Sequence, residues 1–287
     1  MAIVNLLQSN ALALLATVFV AGLLVGSFLN VVIYRLPVMM QHAWAREADA
    51  MSGQAVAERD TFNLITPDST CPHCGHKIRA WENIPVISYL ALGGKCAQCK
   101  NRISPRYPLV ELITGLLTLA IAWQFGATLQ TATLLVFFWS LIALTMIDVD
   151  HQLLPDSITL PLVWLGLLLN LGGVFTSLEQ AVIGAVAGYL SLWSIYWAFR
   201  LLTGKEGMGY GDFKLFAAFG AWFGWAALPL IILLSSLVGA IVGIAMIAIL
   251  GRDRQIPIPF GPYLCGAALV YIFWGSAITA WYLGSFA

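Results

Sequence analysis

The sequence predicts an all-α polytopic membrane protein, about eight transmembrane helices with one small polar domain set between the first and the second. Three observations carry that prediction. Of 287 residues, 60% are hydrophobic and 10% charged, where a soluble domain carries about a quarter charged residues. Apolar runs recur along the chain at the length a hydrocarbon core requires, about 20 helical residues. The charge that does occur is gathered: residues 35–107 hold nine of the 14 Lys and Arg residues and three of the four His residues. Acidic and basic residues balance at 14 each, so the bulk charge gives no reason to invoke nucleic acid, and no nucleic-acid partner is expected.

Taking the elements in order, residues 1–34 carry no charge and form the expected transmembrane helix 1, with its apolar run over 11–34. No Lys or Arg precedes that run, and the first cation is Arg35. The positive-inside rule therefore predicts an uncleaved span with its N-terminus outside. Residues 35–107 are the expected cytoplasmic domain, an amphipathic or mobile polar stretch over 41–60 followed by a compact cysteine-bearing part over 71–106. Residues 108–287 are the expected membrane bundle of about seven helices, with spans near 108–125, 131–148, 157–173, 179–200, 213–227, 229–250 and 260–283. If the segment around Ala226 and Pro229 were one bent element, the total would be seven. That count would place Arg252 and Arg254 outside, whereas eight spans keep all 14 basic residues inside. No internal repeat is evident.

Within the polar domain, Cys71-Pro-His-Cys74 and Cys96-Ala-Gln-Cys99 are two C-x-x-C knuckles. Their four thiolates suit tetrahedral zinc and leave no coordination position open, so the predicted zinc is structural. A small domain gains folding free energy from such a metal. Two disulfides or redox pairs are the alternative, disfavoured by a reducing compartment. His73 and His76 are spare ligands, and Cys265 reads as a small buried apolar residue of the last span.

Ionisable groups in apolar spans are costly, which makes each a candidate for function. Asp148 closes the third span and Asp212 opens the sixth, and the eight-span topology puts both at one membrane face. Two carboxylates in a low-dielectric bundle share a proton, so one can activate water while the other donates to a scissile carbonyl. Gly207, Gly209 and Gly211 would let an extended substrate strand approach Asp212. The alternative is a loop turn with Asp212 as helix cap. Asp150 competes with Asp148 as the partner, Asp156 reads as an N-cap, and His151 as an interfacial polar residue. Glu111 either pairs with a cation such as Arg106 or belongs to a site. Lys214 either holds a substrate carbonyl or anchors its span at the headgroups.

Five stretches together resemble the bacterial type IV prepilin peptidases, the bifunctional leader peptidases and N-methyltransferases with a G-x-G-D aspartyl protease motif. They are GSFLNVVIYRLP at 26–37, the two cysteine pairs, PRYPLVE at 105–111, IDVDHQLLPD at 147–156 and GMGYGDFK at 207–214. The resemblance covers essentially the whole chain. It implies that Asp148 and Asp212 are the catalytic pair, supported by Gly209, Gly211 and Lys214. It also implies cleavage after a glycine in a short basic leader of prepilins and pseudopilins, followed by methylation of the new N-terminus from S-adenosylmethionine. It places the protein in the bacterial inner membrane with the N-terminus periplasmic and the zinc domain cytoplasmic. Because the cysteine domain is kept, both activities are expected, with methyl transfer near Gly94, Cys96 and Glu111. No glycine fingerprint after a strand marks a nucleotide site independently.

Two other classes are open to the residues. A proton- or cation-coupled transporter would use the same aspartates, but predicts them near mid-bilayer rather than at span ends. A zinc metalloprotease would need an H-E-x-x-H, and the four histidines are His42, His73, His76 and His151.

Overall fold

The first helix continues well past the point where charge begins. In the computed structural model, which describes residues 10–53, 61–251 and 258–284, α1 runs over Ala11–Met51, 41 residues. That is about 60 Å at the α-helical rise, twice a hydrocarbon core. Asn10 starts it by accepting the Ala13 N–H at 3.1 Å, and Pro37 lies inside it. Beyond Arg35 the helix persists because residues 43–51 are rich in Ala, Arg, Glu and Met, all strong helix formers. Charge marks where the chain leaves the apolar phase, and propensity decides where the helix stops. Of the polar stretch expected over 41–60, the first part is this helix and residues 54–60 lie outside the described residues.

The chain forms two compact units, Met1–Ala143 and Leu144–Ala287. In the first, a short 3-10 turn at Ala80–Asn83 and α2 at Ile87–Ala91 precede α3 at Arg106–Phe125 and α4, which begins at Leu129 and ends in the second unit at His151. α1 and α3 approach closely through glycines. A Cβ on Gly22 would lie 2.7 Å from Thr118 Oγ1, and one on Gly26 would lie 2.7 Å from the Glu111 Cα. Small residues four apart let helix backbones meet in a membrane.

In the second unit, α5 at Asp156–Leu171, α6 at Leu178–Thr203, α7 at Tyr210–Phe223, α8 at Leu228–Leu250 and α9 at Gly261–Gly284 follow. α7 is the packing centre: 14 residues long, with every residue from Leu215 to Phe223 buried. Its main helix partners are α5 and α6, with smaller contacts to α8 and α9. Against α6 the contact is backbone on backbone, since a Cβ on Gly220 would meet the Gly184 carbonyl and one on Gly188 would lie 2.7 Å from the Phe216 carbonyl oxygen. Gly220→Val should therefore cost about 3 kcal/mol or more, because an added side chain here meets backbone that cannot rotate away. A fall in the thermal midpoint of the detergent-purified protein is the expected reading.

The last carbonyls of α7 are met by a side chain. Asn170 Nδ2 donates to the Ala221 and Trp222 carbonyls at 2.9 and 3.0 Å, while its Oδ1 accepts the Phe175 and Thr176 N–H groups. Gly224, at φ 81°, and the 3-10 turn Trp225–Ala227 separate α7 from α8, so this segment is two elements and not one bent helix. Among the described residues eight helices of 14 residues or more match the expected spans one for one. Six of them are long and apolar enough to cross a membrane, and the protein is a multi-pass membrane protein. Arg252 and Arg254, on which the choice of eight rested, lie outside the described residues.

Candidate active site and cysteine cluster

Asp148 and Asp212 come from helix ends that the second unit gathers together. α7 begins at Tyr210 because Gly209, in extended backbone at φ −83° and ψ 149°, is its N-cap, which puts Asp212 in the first turn. Asp148 lies one turn before the end of α4 at His151. The two side chains are buried, at 5% and 7% exposure. Each lies within electrostatic reach of the other, and both reach Cys265, a buried residue of α9.

Their surroundings differ. Gly261, the first residue of α9, donates its N–H to Asp148 Oδ2 at 3.0 Å. The Gly209 N–H reaches the Asp212 carboxyl, yet Asp212 Oδ1 is enclosed with no hydrogen-bond partner among the described residues. Leu154 stands between the two backbones: a Cβ on Gly211 would lie 2.6 Å from the Leu154 Cβ, and one on Gly261 would lie 3.2 Å from its Cδ2. Gly207 is filled in the same way by the Phe199 ring, at 2.8 Å. Gly209 is the open glycine of the three, where a Cβ would meet nothing nearer than Asp212 Oδ2 at 3.7 Å. The Tyr210 ring packs on Tyr196 and Phe213 with centroids 5.3 Å from each, holding the turn to α6.

The neighbouring polar residues sort out by burial and partner. Asp150 and His151 are exposed. Asp156 is not the N-cap of α5, which is Pro155. It occupies the first turn and takes Lys214 Nζ on both carboxylate oxygens at 2.7 Å. The Lys214 side chain is 26% and the Asp156 side chain 54% exposed, so the pair contributes about 0.5–1 kcal/mol. Lys214→Met should lower stability by that amount in thermal unfolding.

In the first unit the four sulfurs of Cys71, Cys74, Cys96 and Cys99 lie within 4.8 Å of one another, with Cys71 and Cys99 at 3.8 Å. Tetrahedral zinc with thiolates at about 2.3 Å sets sulfurs about 3.8 Å apart, so the donor set fits the ion. The two knuckles repeat each other bond for bond. Cys71 N–H donates to the His76 carbonyl and Gly75 N–H to the Cys71 carbonyl, while Cys96 N–H donates to Asn101 and Lys100 N–H to Cys96. Single β-bridges, Thr70 with Lys77 and Lys95 with Arg102, close the two loops. The chain thus does contain a short internal repeat, invisible in the sequence because little beyond the cysteines recurs. Backbone N–H groups of His73 and Cys74 aimed at the Cys71 sulfur bring its thiol down to about 7, and those of Cys99 and Gln98 lower Cys96. His76 is engaged elsewhere, by Glu82 Oε2 at 2.9 Å, and His73 is exposed.

Glu111 is buried at 7% exposure, accepts the Val86 N–H at 2.8 Å on Oε2, and meets the Ser27 hydroxyl. Val86 has φ 60° and ψ −47°, and the Ile87 N–H closes on the Pro85 carbonyl at 2.6 Å. This is a γ-turn of the rare, strained kind, here on a β-branched residue. Gly94, at φ 67°, has its missing side chain's place taken by the Tyr89 hydroxyl, 2.9 Å from an added Cβ.

Comparison with known proteins decides the family. A family model for the bacterial peptidase A24 N-terminal domain matches residues 20–125, and one for the type IV leader peptidase family matches residues 135–244. A prepilin leader peptidase/N-methyltransferase of Stutzerimonas stutzeri is 59% identical over 281 residues, 98% of this chain and 97% of that protein. Proteins of the same name from Pseudomonas aeruginosa and Legionella pneumophila are 56% and 49% identical, covering 99% and 92% of this chain and 98% and 92% of their own length. The chain belongs to the type IV leader peptidase family. No solved structure matches it.

Family membership makes the chain an enzyme, a membrane peptidase, and removes support from the transporter reading. The second family model begins within α4, and the boundary between the compact units falls in the same helix. Sequence reasoning missed Gly261 and Leu154 at the aspartates and the strained Val86 beside Glu111. A weak signal for the first exists: Gly261-Pro262 at the head of an apolar run is a helix start, with proline in the first turn. Nothing in the sequence ties that start to Asp148.

Proposed function

We propose that this protein hydrolyses the leader of type IV prepilins and pseudopilins at the cytoplasmic membrane face, with Asp148 and Asp212 as the catalytic pair, and then methylates the new N-terminus. The observation that carries it is two buried carboxylates from α4 and α7 within each other's field in one compact unit. That arrangement supports a general base and a general acid on one peptide bond. Water adds its oxygen to the scissile carbonyl carbon as one carboxylate takes its proton and the other carboxyl gives its proton to the carbonyl oxygen. Collapse of the gem-diol breaks the C–N bond. The first carboxyl protonates the leaving nitrogen and the second regains a proton from a hydroxyl, which restores both groups.

Gly209, with room beside it, is where an extended substrate backbone fits closest to Asp212, while Gly211 and Lys214 shape the turn through Leu154 and Asp156. The four cysteines are proposed to hold one structural zinc, which supplies folding stability and no step of the hydrolysis. S-adenosylmethionine, when bound, supplies a methyl group to the freed amine. Glu111 and Gly94 are the residues proposed for that half of the reaction. Support comes from the strained turn that Glu111 holds, of a kind kept only where the surroundings over-determine it. Both residues also have structural partners, Val86 and Tyr89.

For location we propose the bacterial inner membrane, with the N-terminus periplasmic and the cysteine domain cytoplasmic. The connections at 126–128, 172–177 and 224–227 carry no Lys or Arg, which supports placing them outside. A full-length prepilin incubated with the purified protein in proteoliposomes tests the function. Mass spectrometry should find a shortened, unmethylated product without S-adenosylmethionine and a product heavier by one methyl group with it. An intact substrate under both conditions would overturn the reading.

A further inference from the structure

The two aspartates are not equivalent in their surroundings. Asp148 Oδ2 accepts an N–H from Gly261, the first residue of a 24-residue helix. A helix N-terminus presents unpaired N–H groups and a partial positive charge, both of which favour an anion. The contact is tight as well as polar, since a Cβ on Gly261 would lie 2.6 Å from that same oxygen. Asp212 has the opposite situation on one side. Its Oδ1 is enclosed and meets no donor among the described residues, and an anionic oxygen buried without a donor is far more costly than a neutral hydroxyl in the same place.

The geometry points to a division of labour within the pair: Gly261 is a positioning residue that holds Asp148 as the carboxylate that activates water, while Asp212 is the protonated member that gives its proton to the scissile carbonyl oxygen. The inference rests on the reading of Asp148 and Asp212 as the hydrolytic pair. The titratable groups facing Asp148 are Asp212 from α7 and Cys265 from α9, with Asp150 two residues on in its own helix and exposed. The Gly209 N–H also reaches Asp212, and leaves Oδ1 bare.

The test removes the Gly261 N–H without adding an atom, by placing glycolic acid at position 261 so that an ester oxygen replaces the amide. Cleavage of full-length prepilin is then followed against pH. Loss of an N–H bond to a carboxylate makes protonation of that carboxylate easier, so the acidic limb of kcat/KM should move up by about one pH unit or more, with the basic limb unmoved. Movement of the basic limb instead would exchange the two roles and overturn the assignment, and so would a profile that moves at neither limb. Gly261→Ala, which keeps the N–H and drives a methyl group onto Asp148, should lower kcat with KM little changed in protein that remains monodisperse and keeps its thermal midpoint. A wild-type kcat would overturn the contact. If Asp148→Asn and Asp212→Asn both still cleave, the hydrolytic reading itself fails; if both are dead while the ester profile is that of the wild type, only the division of roles fails.

Discussion

Asp212→Asn should abolish prepilin cleavage, lowering kcat by about 10³-fold or more, and Asp148→Asn should do the same. The asparagine side chain keeps the volume of the aspartate, so the buried first turn of α7 and the end of α4 have no packing reason to move. Each variant loses one half of the proton exchange and neither half works alone, so the double variant should be no slower than either single one. The measurement is the rate of leader release from full-length prepilin in proteoliposomes, with the thermal midpoint as a control on the fold. Asp150→Asn is the companion: that residue is exposed, and its substitution should leave kcat within about threefold. A dead Asp150 variant beside an active Asp148 variant would move the catalytic role two residues along the helix.

The second large effect concerns the cysteine cluster. Structural zinc in small domains contributes about 10–16 kcal/mol in apparent binding free energy, comparable with the whole stability of a domain. Cys71→Ser, or exhaustive chelation, should therefore unfold the knuckles. Residues 69–103 should become sensitive to limited proteolysis, and metal analysis should fall from one zinc per chain to near none. Methyl transfer should fall more than cleavage, because Glu111 holds the Val86 turn in the unit of the cysteines, whereas the aspartates belong to the other compact unit. Cleavage that dies on chelation and returns at once on adding zinc back would contradict this.

The spans and the motifs were legible because each is a local property. An apolar run of helical length, a C-x-x-C pair and a G-x-G-D turn are all written within a few residues of one another. The helix ends were less so. Composition placed the end of the first helix near Tyr34, yet it continues to Met51, because a run of Ala, Glu, Arg and Met is as helical in water as an apolar run is in lipid. Asp156 read as an N-cap from its position before an apolar run, but Lys214, far along the chain, claims its carboxylate.

By itself the sequence determined the class of fold, the placing of the long apolar helices, the cluster of four thiols that could hold a metal and the two candidate acids, since each depends on residue type and short spacing. Only the tertiary structure decided how those acids differ. Gly261 and Asp148 are 113 residues apart, and no periodicity relates them. The packing of α9 brings that N–H to one carboxylate, and the enclosure at the head of α7 leaves Asp212 Oδ1 without a partner among the described residues. Burial and hydrogen bonding set the character of an ionisable group, and both are products of contacts between helices that the chain order does not encode.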